Sequence, residues 1–242
     1  MSTDRHQVQV AGITVDVVRK DIRNLHLGVY PPLGKVRVSA PLAVSDEAVH
    51  LAVISKLAWI KRQRAGFARQ ARQGPREAVT GESHYLFGKR YRLRVVAHQG
   101  RPYIDLPNKA HIILHADPAA TAGQRLDVLD RWYRDHLRTA IDPLFTTWQE
   151  TLGVTASFVG VKRMKTKWGS CNPATRRIWI NSELAHKPLE SIEFIVVHEL
   201  VHLLIPNHGE HFARIMDEHL PDWRARRSAL NSQPLAHESW SY

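Results

Sequence analysis

The stretch "VVHELVHLLIPNHGEHF", Val196 to Phe212, holds four histidines and two glutamates. His198 and His202 stand four residues apart, with Glu199 directly after the first. On a helix, positions i and i+4 share one face a turn apart. Two imidazoles placed so can reach a single Zn2+, and the glutamate between them can take a proton from water beside the metal. A catalytic zinc needs a third protein ligand. His208 lies six residues after His202, the spacing of an H-E-x-x-H-x5-H site. The glycine usual in the middle of that turn is absent, with Ile205 in its place, and Pro206 is expected to end the helix and turn the chain back. His211 is a rival third ligand. A carboxylate from Glu210, Asp217 or Glu218 would instead give a two-histidine, one-carboxylate site.

The bland alternative is a core helix whose histidines are bonded to backbone or acids. The neighbours weigh against it. Leu189, Ile192, Ile195, Val196, Val197, Leu200, Leu203 and Leu204 make residues 189–204 apolar nearly all round, the pattern of a buried helix. Unpaired polar groups on such a helix cost several kcal/mol, and one metal ion partners both histidines.

Upstream, "RMKTKWGSC" sets Arg163, Lys165 and Lys167 ahead of Trp168, followed by the strand "RRIWINSEL". A strand before the active-site helix can line a cleft with a free edge, to which an extended peptide adds by backbone hydrogen bonds. Lys165, Lys167 and Trp168 are therefore candidate substrate-binding residues. The basic side chains can equally hold phosphate, or the segment is a solvated loop with Trp168 packed in the core. Cys171 reads as a small buried thiol, since it has no second cysteine to share a metal with.

The elements that must position these residues read as α+β. Residues 7–41 alternate as strands, with a turn at Pro31, Pro32 and Gly34. Asp46 to Arg72 reads as a helix with Ser45 as N-cap. Its basic end, Lys61 to Arg76, holds one aromatic and reads as a solvated face. Two β segments follow, then a helical pattern over 121–152 that Pro143 should kink or interrupt, then strands at "VTASFVGVKRM" and "RRIWINSEL". No internal repeat is visible. The expected organisation is a β-rich amino-terminal module with one long helix, residues 1–118, and a catalytic domain, residues 119–242, with "ADPAAT" at 116–121 as the boundary.

At 242 residues and 43% hydrophobic, the chain can bury a sizeable core. A net charge of +11 favours anionic partners, nucleic acid or nucleotide among them, without identifying one. A single cysteine excludes an internal disulfide, no secretory signal opens the chain, and no apolar run is long enough to span a membrane. The expected location is cytoplasmic. Oligomeric state is not legible.

Several stretches together resemble the YgjP-like metallopeptidase domain proteins, distant relatives of the SprT-like and WLM zinc proteases. They are "KVRVSAPLAVSDEAV", "LAWIKRQ", "YLFGKRYRL", "KTKWGSCNPATRRIWINSEL" and "IEFIVVHELVHLLIPNHGEHF", spread over nearly the whole chain. The resemblance implies a zincin-type unit with an active-site helix beside a small sheet. It implies His198 and His202 as zinc ligands, Glu199 as base, and the histidine of the family's "NHG" turn at His208. It places the amino-terminal module in the same family unit. On substrate it divides: SprT-like and WLM relatives are linked to cleavage of proteins crosslinked to DNA, whereas some YgjP-like members are assigned as nucleotide pyrophosphatases. The expectation is a zinc-dependent hydrolase, a metallopeptidase acting on peptide or protein. The alternatives are nucleotide phosphoanhydride hydrolysis and a non-catalytic DNA-binding protein with a structural metal.

Overall fold

A computed structural model of the chain describes residues 5–30, 33–69, 76–164 and 167–232. It is a mixed α+β structure in two compact units, one up to Gln73 and the other Gly74–Gln233. The segment 116–121, where the sequence suggests a boundary, lies within the second unit.

The first unit begins with β1 (Arg5–Val10), β2 (Ile13–Lys20), β3 (His26–Tyr30) and β4 (Lys35–Pro41), in the order β1-β2-β4-β3. The central pair β2/β4 is parallel and both outer pairs are antiparallel. Inward valines at 15, 17, 36 and 38 pack with Val49 and Val53 of α1 (Asp46–Ser55) and Ile60 of α2 (Leu57–Arg69). Ser45 caps α1 by accepting from the Ala48 N–H. The single helix expected over 46–72 is broken at Lys56, which leaves helical geometry at φ −107°, ψ 9°.

The second unit opens with β5 (Ser83–Leu86), β6 (Lys89–Ala97), β7 (Tyr103–Asp105) and β8 (His111–Ala116), ordered β5-β6-β8-β7. Its pairing is the same as in the first unit: antiparallel, parallel, antiparallel. Even the hairpin turns correspond. Ala11-Gly12 and Phe87-Gly88 all have φ between 49° and 78°, the positive pair that a two-residue type I′ turn demands. Each sheet is followed by a helix capped by a hydroxyl, Ser45 in one and Thr121 in the other. The chain thus contains one ββββα topology twice, a repeat that the sequence hides because the two copies share little beyond alternation.

Helix α3 (Ala122–Leu152) starts on a Thr121/Gln124 capping box and ends at Gly153 in the left-handed region. It is continuous through Pro143. A buried stripe at Leu129, Tyr133, Leu137, Ile141 and Phe145 recurs every fourth residue on both sides of the proline. Burying such side chains is worth about 1.5–3 kcal/mol each, enough to offset the lost hydrogen bond. A third sheet, β10-β11-β9, is formed by β9 (Phe158–Lys162), β10 (Gly169–Asn172) and β11 (Arg177–Asn181), with β10 at the edge. After a 3-10 turn (Ser182–His186) come α4 (Leu189–Val201), α5 (Glu210–His219) and α6 (Trp223–Ser232). Among the described residues, no helix is long and apolar enough to cross a membrane.

Candidate metal centre

Helix α4 is buried on most of its circumference: Ile192, Phe194, Ile195, Val196, Val197, Leu200 and Val201 are all in the core. It packs against α3, α6, β10 and β11. The regular helix stops at Val201, sooner than Pro206 alone would require. His202 is its cap residue and keeps helical geometry, φ −65° and ψ −17°, so the i, i+4 alignment with His198 survives. The Leu203 N–H donates to Leu200 C=O and the Ile205 N–H to Val201 C=O, both at 2.9 Å. That tight turn brings His208 back to His198 of α4.

One ring nitrogen from each of His198, His202 and His208 lies within 4.8 Å of the others. Nε2 of His208 is 3.0 Å from Nε2 of His198. Two nitrogens bound to one tetrahedral zinc at about 2.0–2.1 Å stand about 3.3–3.4 Å apart, so the His198–His208 pair is near that separation, while the 4.8 Å span of the trio means a bound ion would draw the rings closer together. His202 Nδ1 lies 3.1 Å from the Ile205 carbonyl. A carbonyl only accepts, so Nδ1 carries the hydrogen and Nε2 keeps its lone pair for a metal. His198 Nδ1 is buried without a hydrogen-bond partner among the described residues, so packing orients that ring. Phe212, 2% exposed, stands 4.9 Å by ring centroid from each of the three histidines. Burial, then the neighbouring His202 and His208, pushes His198 down to about 3, which keeps it neutral as a ligand must be.

Glu199 is 4% exposed. Burial pushes its carboxyl up to about 8, against the opposing pull of Lys167 and of a hydrogen bond from the Cys171 backbone. That contact depends on Gly169: a Cβ there would meet Glu199 Oε1 at 2.5 Å. The glycine of "WGSC" therefore makes room for the carboxylate against β10. The register explains the partner. The Asn181 N–H donates to Trp168 C=O at 2.9 Å, so polar backbone groups of Ser170 and Asn172 also face β11. Those of Gly169 and Cys171 face the open edge.

Asn181, 4% exposed, fixes this wall. Its Nδ2 donates to the carbonyls of Met164 and Lys167, both at 2.8 Å, and its Oδ1 accepts from the N–H groups of Met164 and Glu183. Asn181, Gly169 and Phe212 were not expected as site residues, although all three lie in the stretches that carry the family resemblance.

The centre opens into a cleft of about 820 Å³ lined also by Lys167, Trp168 and Arg227. Trp168 both lines it and packs on the core; Lys187 Nζ lies 5.6 Å from its ring centroid. Lys165 falls outside the described residues. Among those described, the ring cluster does not include His211, Glu210, Asp217 or Glu218. Asp217 instead accepts from Trp223 Nε1 at 2.8 Å and pairs with Arg224.

No curated protein matches the chain. Among solved structures it is similar to two metallopeptidase zymogens. Jannalysin of Methanocaldococcus jannaschii is 22% identical with TM-score 0.35, over 38% of this chain and 87% of that one. Abylysin of Pyrococcus abyssi is 19% identical with TM-score 0.34, over 39% of this chain and 99% of that one. The family model of the YgjP-like, metallopeptidase domain matches residues 23–233, most of both compact units, and the chain belongs to that family.

Proposed function

We propose that the chain is a zinc-dependent peptidase of the zincin type, with His198, His202 and His208 as metal ligands and Glu199 as the proton carrier. Family membership supports the coarser statement, a metal-dependent peptidase. The observation that carries the finer one is the convergence of three imidazoles beside a buried glutamate. A 3.0 Å approach of two rings is also that of a simple N–H···N bond; the third ring and the free Nε2 of His202 favour a cation.

Zinc held there would supply a Lewis acid that activates water and polarises a carbonyl. Glu199 takes the proton of the attacking water on its carboxylate and returns it to the leaving nitrogen. Burial by itself favours the protonated acid; Lys167, the Cys171 N–H and the charge of a bound cation would favour the ionised form this requires. The outer edge of β10, where the Gly169 backbone faces outward beside the Cys171 N–H that Glu199 takes, suits an extended peptide that adds as a further strand. Lys167 and Trp168 flank that edge.

A second reading, phosphoanhydride hydrolysis of a nucleotide, draws on Lys167 and Arg227 in the cleft wall, which would hold phosphates. Casein cleavage and phosphate release from nucleoside triphosphates, run in parallel, separate the two. Glu199→Gln should keep its metal and lose about 10²–10⁴-fold in casein turnover. Phosphate release without casein cleavage would replace this reading by the second. A Glu199→Gln protein with undiminished function would leave a structural metal.

A further inference from the structure

The outward face of the β5-β6-β8-β7 sheet is unlike its counterpart in the first unit. Alternation puts Tyr91, Leu93, Ile112 and Leu114 inside and leaves Arg90, Arg92 and Arg94 exposed on β6. Edge strands commonly carry charge to block unwanted pairing, but β6 is interior. Nor are these charges answered across the sheet. The register sets Arg90 beside Tyr85, Arg92 beside Ser83 and His111, and Arg94 beside Ile113. Arg92 donates to the Gly81 carbonyl, and no carboxylate pairs with any of the three among the described residues. The one acid at an outward position of this sheet, Asp105, already lies 3.1 Å from His115 Nε2.

The repeat supplies an internal control. Aligned on Gly12 and Gly88, Thr14, Asp16 and Val18 occupy the places of the three arginines. That face is self-satisfied: Gln9 donates to Thr14, Gln7 donates to Asp16, and Lys35 pairs with Asp16 at 2.9 Å. The topology therefore does not need the arginine row.

At the other edge of the face, Tyr103 and His115 stack, with ring centroids 4.3 Å apart and planes 4° from parallel. His98 meets the Tyr103 ring edge-on at 5.2 Å. Tyr103 stays 44% exposed. Arg101 and Lys109, both exposed, stand in the loops leading into β7 and β8. Residues two apart on a strand lie about 6.6 Å apart, close to the spacing of successive phosphates along an extended strand.

We propose that this sheet face binds single-stranded nucleic acid, the Arg90, Arg92 and Arg94 row tracking phosphates while Tyr103 stacks on a base. An extended strand offers both groups at once, whereas a duplex keeps its base faces stacked inside. The proposal is independent of the chemistry at the metal centre.

The test is fluorescence anisotropy of the full chain with a short labelled DNA strand, and with the same sequence as duplex, over a salt series. Arg90→Ala/Arg94→Ala should lower the slope of log K against log salt by about 1.4, from two phosphate contacts at about 0.7 each. Tyr103→Leu, which keeps apolar bulk, should weaken single-strand binding about tenfold or more and leave the slope unchanged. Lys61→Ala/Arg62→Ala, which removes the same charge from α2, should change neither. No single-strand binding by the wild type, tighter binding of duplex, a slope change shared equally by the α2 variant, or wild-type affinity in Tyr103→Leu would each overturn the proposal.

Discussion

Gly169 is the residue on which the placement of Glu199 turns. Its missing side chain lets the carboxylate lie against β10, where the Cys171 N–H meets it. Gly169→Ala puts a methyl 2.5 Å from Glu199 Oε1, and the carboxylate must move. A shift of about 1 Å in a catalytic group costs on the order of 10²-fold. We expect kcat for peptide hydrolysis to fall by about that factor with metal content and KM nearly unchanged. Loss of metal in this variant would instead mean that Gly169 supports the fold of α4. The grouping at this scale was legible in sequence: two histidines at helical spacing with a glutamate between them, and a third histidine past a turn, whose rings the fold brings together. What supports it was not. Gly169 matters because of a side chain thirty positions away, and Asn181 because strand register returns it to Met164 and Lys167. Neither contact follows from local pattern.

Between elements, a buried polar joint ties β5, α3 and the 3-10 turn. His84 is fully buried, with Nδ1 3.1 Å from the Tyr133 hydroxyl, and Tyr133 packs edge-on to His186. Burial, with Arg76 and His186 nearby, pushes His84 down to about 3. It is therefore neutral near pH 7, and its 3.3 Å approach to Glu82 is not an ion pair there. The unfolded chain protonates this histidine below its ordinary value near 6.5, and the folded chain does not until about 3. Its contribution to stability is thus complete above pH 6.5 and is lost as pH falls from there toward 3, on the order of a few kcal/mol. Urea unfolding at several pH values should show a shallower acid-side decline in His84→Gln than in wild type. Parallel curves would refute this. The elements themselves were mostly legible, because alternation and caps are local signals: Ser45 caps α1 as expected. Pro143 misled, since its local cost is outweighed by a buried stripe that continues past it on α3.

Across the whole molecule, the duplicated ββββα topology was invisible in sequence, because a sheet asks only for alternation and a permissive turn. One copy has a self-satisfied outer face; the other bears an unanswered arginine row and precedes the long helix that packs against α4. The compact units divide at Gln73/Gly74, in a basic stretch ending at Gly74-Pro75 whose composition alone reads as the end of a helix. The net charge of +11 narrows the class of partner, and only the placement of the charges proposes a surface. A metal that binds the folded second unit alone should also stabilise it by mass action, about 2.7 kcal/mol at a hundredfold excess over Kd.

The most direct measurement is zinc X-ray absorption on the zinc-loaded chain, in wild type and His208→Ala. The account predicts three imidazole nitrogens at about 2.0–2.1 Å with one further light ligand, and one imidazole fewer in the variant. A sulfur ligand at about 2.3 Å, or a spectrum that His208→Ala leaves unchanged, would contradict it.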